Sequence, residues 1–253
     1  MKKPLIILPF ISLLVFMLVS FGYSRPVKNK TIHAGAKNSF AVVELFTSEG
    51  CSSCPPADAA VAALAKDYPA NVYVLGFHVD YWNYLGWKDE FSSADYSGRQ
   101  QQYAAAFNLQ SIYTPQIVVN GKTEFTGSDE RKLYASVVEE LKIDNTHTIE
   151  LNAKASASKD IIVTYNTNAD NKTMLQIALV QLHTSSAVKR GENKGKFLNH
   201  IDVVRNFKNV SNNTGSVNLS LPEGLPAKDC KVIAFVQNKT DMHIVSAVAC
   251  NIQ

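Results

Sequence analysis

The feature that most restricts what this chain can fold into is Cys51-Ser52-Ser53-Cys54, set between an apolar run at residues 41–46 and an alanine-rich stretch at residues 57–66. That order predicts a strand, a short polar turn and a helix that starts beside the second cysteine. A helix N-terminus gathers unpaired N–H groups and the positive end of the helix dipole, and both stabilise a thiolate. Cys51 is therefore expected to be exposed and to have a lowered pKa. Cys54, about one turn on, is placed to close a disulfide or resolve a mixed one. Half a zinc site or two buried thiols share this spacing. A zinc ribbon needs a second ligand pair at similar spacing, and Cys230 and Cys250 do not form one.

A second motif adds to the redox reading. In Tyr113-Thr114-Pro115-Gln116-Ile117-Val118-Val119-Asn120-Gly121, a Thr-Pro dipeptide precedes a short apolar strand and an Asn-Gly turn. Downstream of Cys-x-x-Cys, this resembles the cis-proline loop of the thioredoxin superfamily. The resemblance implies a cis Pro115 and a Thr114 backbone that offers hydrogen bonds to an extended substrate beside the two cysteines.

The compartment changes how the cysteines read. Lys2 and Lys3 precede an apolar run at residues 5–19, and small residues follow at Ser20, Gly22 and Ser24. This is the layout of an export signal, expected over residues 1–24. The run is short for a membrane span and contains Pro9. Export to the periplasm or medium, with no membrane attachment after cleavage, puts the four cysteines in an oxidising compartment. The net charge is only +3 and the basic residues are scattered, which argues against a nucleic-acid partner.

Residues 25–38 read as a linker. Strand signals at 40–46, 71–79 and 116–120 alternate with helix signals at 55–66, 92–107 and 129–141. The expected fold class is therefore α/β, with a thioredoxin-like domain over residues 39–144 that carries a helical insertion. From 145 to 253 the pattern changes to short runs rich in Ile, Val and Thr, which predicts a mostly β, sandwich-like domain. A hairpin centred on Thr240 would set Cys230 opposite Cys250, at a cross-strand distance of about 4.5–5.5 Å that suits a structural disulfide.

The assembled motifs are similar to those of an uncharacterised family of exported, thioredoxin-like bacterial proteins with a C-terminal β domain. The carrying residues are 43–58 around the cysteine pair, Phe77-His78-Val79-Asp80-Tyr81-Trp82, Leu85-Gly86-Trp87, Tyr113-Thr114-Pro115-Gln116 and Arg190-Gly191-Glu192-Asn193, with Leu198, His200, Val203, Val204 and Arg205. Glu44 resembles in position the buried acid that helps deprotonate the second cysteine, one residue further from Cys51 than usual. His78 is a candidate base or electrostatic partner for Cys51. Ser52 and Ser53 supply no histidine between the cysteines, and Glu49 nearby raises the thiol pKa, so weaker oxidising power is expected.

The leading expectation is an envelope thiol–disulfide oxidoreductase without an organic cofactor. Cys51 would attack, Cys54 would resolve, and protein thiols or disulfides and an envelope redox partner would be its partners. Two alternatives stay open. One is a copper-handling protein with Cys51, Cys54 and His78 as soft-metal ligands. The other is a binding module whose Cys51–Cys54 disulfide is structural.

Overall fold

A computed structural model describes residues 39–145, 147–157 and 160–253. The expected signal peptide and linker lie outside them. The first half contains β1 (Ala41–Thr47), α1 (Pro55–Asp67), β2 (Val72–His78), α2 (Ala94–Ala106), β3 (Gln116–Val119), β4 (Thr123–Thr126) and α3 (Glu130–Glu140). The second contains β5 (Ile149–Ala155), β6 (Asp160–Thr167), β7 (Thr173–Ala187), β8 (Phe197–Val210), β9 (Thr214–Ser220), β10 (Cys230–Asn238) and β11 (Ile244–Asn251).

The expected α/β fold class is corrected. Among the described residues 44% are strand and 20% helix, so the chain is mostly β rather than a thioredoxin-like α/β fold with a helical insertion. Its centre is one mixed eight-stranded sheet in the order β11-β10-β7-β8-β2-β1-β3-β4. β8 lies parallel to β2, with Val203 opposite Gly76. Periodicity can report a strand but not its neighbour, and no strand was expected over β8, which is why the sequence does not foretell that the two halves share a sheet. β5, β6 and β9 form a separate three-stranded sheet.

Strand alternation sorts side chains onto the two faces of the large sheet. On one face Ala41, Val43 and Leu45 of β1 and Val72 and Val74 of β2 pack against Ala57, Val61 and Leu64 of α1 and against Leu133 and Val137 of α3. Further along, the three-stranded sheet packs on Ile177, Leu179, Val232 and Ala234. The opposite face gathers Val42, Phe46, Phe77, Val180, Ile233 and Phe235 with Tyr96 and Tyr103 of α2. The sheet curls enough for its far ends to meet, because Ile244 N donates to Asn120 O at 2.9 Å. Gly121, at φ +63°, permits this approach, since a Cβ there would sit 1.9 Å from Met242 O.

A charged group lies inside that second core. Arg99 of α2 donates to Glu44 Oε1 of β1 at 2.9 Å and to Gln176 Oε1 of β7 at 2.8 Å. It also reaches Gln237 Oε1 of β10 at 3.2 Å. Tyr103 Oη donates to the same Glu44 carboxylate. The guanidinium also lies over the rings of Phe77, Phe207 and Phe235 at 5.0–5.5 Å.

The cysteine expectation for the second half is also corrected, because Cys230 and Cys250 are free thiols. In the β10–β11 hairpin Cys250 faces Val232, and a register shift lies between Val236 and Gln237. That offset puts Cys230 on the diagonal, where Cα separations of about 7–8 Å exceed disulfide reach.

Removing Arg99 leaves the Glu44 carboxylate buried without its counter-charge. Arg99→Ala is expected to cost about 3–5 kcal/mol in urea unfolding. A loss under about 1 kcal/mol would show that the ion pair is not the link between strands described above.

Candidate functional site

The site forms where β1 ends. Residues 48–50 turn, Cys51 N donates to Ser48 O at 3.1 Å, and Cys54 occupies the N-cap of α1. Cys54 O accepts from Ala57 N at 2.9 Å and from Asp58 N at 3.2 Å, which are helix-start bonds. Cys51 and Cys54 are joined in a disulfide, their Cα atoms 5.5 Å apart.

The disulfide is not on the surface, which corrects the expectation of an exposed Cys51. Cys51 is 0% and Cys54 1% exposed, while Ser52 and Ser53 between them face solvent. Part of the cover comes from the second half, in the turn joining β7 to β8. Asn193 Nδ2 donates to Glu49 O at 2.9 Å and to Cys51 O at 2.8 Å. Glu192 Oε2 accepts from Ser52 N at 3.0 Å, and the Ser52 hydroxyl together with this N–H holds its carboxyl below the usual range. Gly191 at φ +73° and Gly195 at φ +85° supply the left-handed backbone this turn uses. From the first half, Trp87 Nε1 donates to Glu49 Oε2 at 2.7 Å, and Trp82 packs against Gly50.

Beside the disulfide lies a buried polar cluster. Asp58 Oδ2 accepts from Thr47 Oγ1 at 3.1 Å, and its Oδ1 pairs with His200 Nδ1 at 3.0 Å. On the other side of the His200 ring, Nε2 stands 3.5 Å from Glu49 Oε1 as an ion pair. His78 Nδ1 pairs with Asp89 Oδ2 at 2.7 Å, and Asp89 also accepts from the backbone N–H groups of Glu49 and Phe91. The His78 and His200 rings meet edge to face, 4.8 Å between centroids.

Two acid–base groups there are clearly shifted. Burial pulls His200 down, but its bond to Asp58 and the approach of Glu49 outweigh burial, and its pKa is pushed up to about 9. For Asp89, burial pushes upward, but the charge and hydrogen bond of His78 and the two backbone donors hold the carboxyl below its ordinary value.

The structure sorts the predicted residues clearly. Thr114–Pro115 is a cis peptide bond. Thr114 Oγ1 accepts from Trp82 Nε1 at 2.8 Å, so Trp82 links this loop to the cysteine turn. Pro115 and Ala57 both lie against Gly127, which keeps the proline beside the start of α1. Glu44 is corrected, because its side chain points to the α2 face of β1 and is held by Arg99 and Tyr103, away from α1. His78 pairs with Asp89, and among the described residues no hydrogen bond joins it to either cysteine. Among the described residues the ligand group that includes His78 is Asp58, His78 and His200, without either cysteine. Asp58, Asp89 and the pairing role of Glu49 escaped sequence reading, although Asp58 sits one turn beyond Cys54. His200 entered the sequence reading only among the residues that carry the family resemblance.

Residues 42–237 match the model of a family described as Protein of unknown function (DUF1223). The crystal structure of Protein AGR_C_4864 from Agrobacterium tumefaciens is similar, with 28% sequence identity and a TM-score of 0.61. That match covers 85% of this chain and 95% of the other. No curated protein matches the chain.

The His200 shift has a signed consequence for stability. Its folded pKa lies above the unfolded value of 6.5, so its contribution is complete below pH 6.5 and is lost as pH rises through about 9. In buffer free of divalent cations, unfolding free energy is expected to fall by about 3 kcal/mol across that window. His200→Asn should flatten the profile, and an equal decline in that variant would contradict the assignment.

Proposed function

We propose that this chain, which belongs to the DUF1223 family of proteins of unknown function, is a thiol–disulfide redox protein of the cell envelope. The observation that carries the reading is the Cys51–Cys54 disulfide at the N-cap of α1, with the cis Thr114–Pro115 loop beside that helix start. The basic, then apolar, then small-residue pattern over residues 1–24 supports an envelope location, where disulfides persist.

In this reading a thiolate of a dithiol protein attacks Cys51 Sγ. The Cys51–Cys54 bond breaks, a mixed disulfide forms, and Cys54 leaves as a thiolate. The partner's second thiol then attacks its own sulfur in the mixed disulfide and releases Cys51. The partner is oxidised to a disulfide, and this chain gains two electrons and two protons. An envelope partner carrying a disulfide returns it to the starting state, and the same steps run in reverse with the opposite partner. The helix N-terminus stabilises the thiolate at each stage.

Burial sets a condition on this chemistry, because attack requires the 191–194 turn to lift. That turn is tied to the cysteine loop through the side chains of Asn193 and Glu192. Three such hydrogen bonds are worth on the order of 1 kcal/mol each, so lifting lies within reach of a docking protein. Ser52, Ser53 and the half-buried Thr114 already face outward to meet it.

The test is a thiol/disulfide titration of the mature protein. A reversible couple between roughly −120 and −270 mV is expected, toward the reducing end because no histidine lies between the cysteines. A couple below roughly −300 mV would mark a structural disulfide and end the proposal.

A further inference from the structure

The buried cluster beside the disulfide has features that thiol chemistry does not use. One donor atom from each of Asp58, His78 and His200 lies within 4.8 Å of the other two, and all three residues are buried. His78 Nε2, His200 Nε2 and Glu49 Oε1 are buried polar atoms with no hydrogen-bond partner. Unpartnered buried polar atoms are uncommon in native proteins and call for a physical reason. Here three of them share one cluster: His200 Nε2 and Glu49 Oε1 stand 3.5 Å apart as an ion pair, and among the described residues His78 Nε2 has no counterpart.

The groups around these side chains orient them as metal sites orient their ligands. Asp89 accepts from His78 Nδ1 at 2.7 Å and is itself fixed by two backbone N–H groups. This carboxylate–histidine pair puts the proton on Nδ1 and leaves the Nε2 lone pair free, which is how metal-bound histidines are commonly oriented. Asp58 is oriented in the same way by Thr47 Oγ1. Charge points in the same direction. The cluster holds the carboxyl groups of Glu49, Asp58 and Asp89, and among the described residues none has a Lys or Arg within salt-bridge distance.

We propose that Asp58, His78 and His200, with Glu49 as a fourth donor, bind one divalent first-row transition cation of the Zn(II) type. Two imidazoles and two carboxylates suit such ions. Bonds of about 2.0–2.1 Å require the donors to close in by about an ångström from their present spread. The cation gives His78 Nε2 a partner, bridges His200 Nε2 and Glu49 Oε1, and offsets the buried negative charge. The site takes ligands from both halves of the chain, from β1–α1, β2 and β8. It uses no sulfur, so it stays competent while Cys51 and Cys54 are joined.

The test uses the full mature chain, cleared with a chelator and kept oxidised, and titrated with Zn(II) by calorimetry and with Co(II) by visible absorption. One equivalent per chain is expected, with Co(II) d–d bands and no sulfur-to-metal charge-transfer band. His78→Gln should weaken binding at least tenfold. Asp89→Asn, which changes a positioning residue, should weaken it about 10–100-fold and keep the band shape. Cys51→Ser/Cys54→Ser should bind as the wild type does. The absence of saturable binding, unchanged affinity in His78→Gln, or a sulfur charge-transfer band would each overturn the site. If His78→Gln does not fold, the wild-type Co(II) spectrum and stoichiometry still decide.

Discussion

One buried guanidinium holds together parts of the chain that are far apart in sequence. Arg99 reaches from α2 to Glu44 in β1, Gln176 in β7 and Gln237 in β10. A charge in an apolar core is costly unless it is paired and its donors are satisfied. Here the pairing is possible only when the sheet curls so that β1, β7 and β10 face the same helix. The interaction therefore adds specificity to an arrangement that hydrophobic burial alone would leave less defined. It also anchors α2, whose lead-in residue Ser93 donates through its N–H to His78 O at 3.1 Å. The loop carrying Trp82, Trp87 and Asp89 is thus fixed at the end of β2.

That architecture makes the site a product of both halves. β8 lies along β2, so His200 comes to face Asp58, and the turn after β7 reaches across the sheet end to the cysteine loop. The disulfide is sealed by residues that follow it by about 140 positions in the chain. A thiol pair under such a cover is protected from small oxidants and reductants and is opened by whatever displaces the cover. The acid–histidine cluster beneath the same cover is likewise kept from solvent. The proposed redox chemistry and the proposed cation binding would then occupy adjoining but separate donor sets.

Much of this was legible in the sequence, and the limits have physical causes. Cys51, Cys54 and Thr114-Pro115 were readable because their chemistry depends on local order along the chain. The helices and most strands were readable for the same reason, since burial on one face imposes a period, but β8 (Phe197–Val210), which carries His200, was not. The sheet neighbours were not. β2 pairs with β8 because two apolar edges meet in three dimensions, and no residue in either strand names its partner. For Glu44 and His78 the partners, Arg99 and Asp89, were hidden by the same gap. Each was placed near Cys51 by sequence position, while the face each occupies is set by strand alternation and by Arg99 and Asp89. Cys230 and Cys250 missed each other because a two-residue register offset cannot be read from hairpin length alone. Asp89 carried no motif and was recognisable only once His78 had a direction.

The central claim is that the second half of the chain seals the Cys51–Cys54 disulfide. The most direct measurement is the rate at which a water-soluble phosphine reduces that disulfide in the native protein, for the wild type and for Asn193→Ala. The account predicts slow reduction in the wild type and at least a several-fold acceleration in Asn193→Ala, with unfolding free energy changed by no more than about 1–3 kcal/mol. Rapid reduction in the wild type that Asn193→Ala leaves unchanged would contradict it.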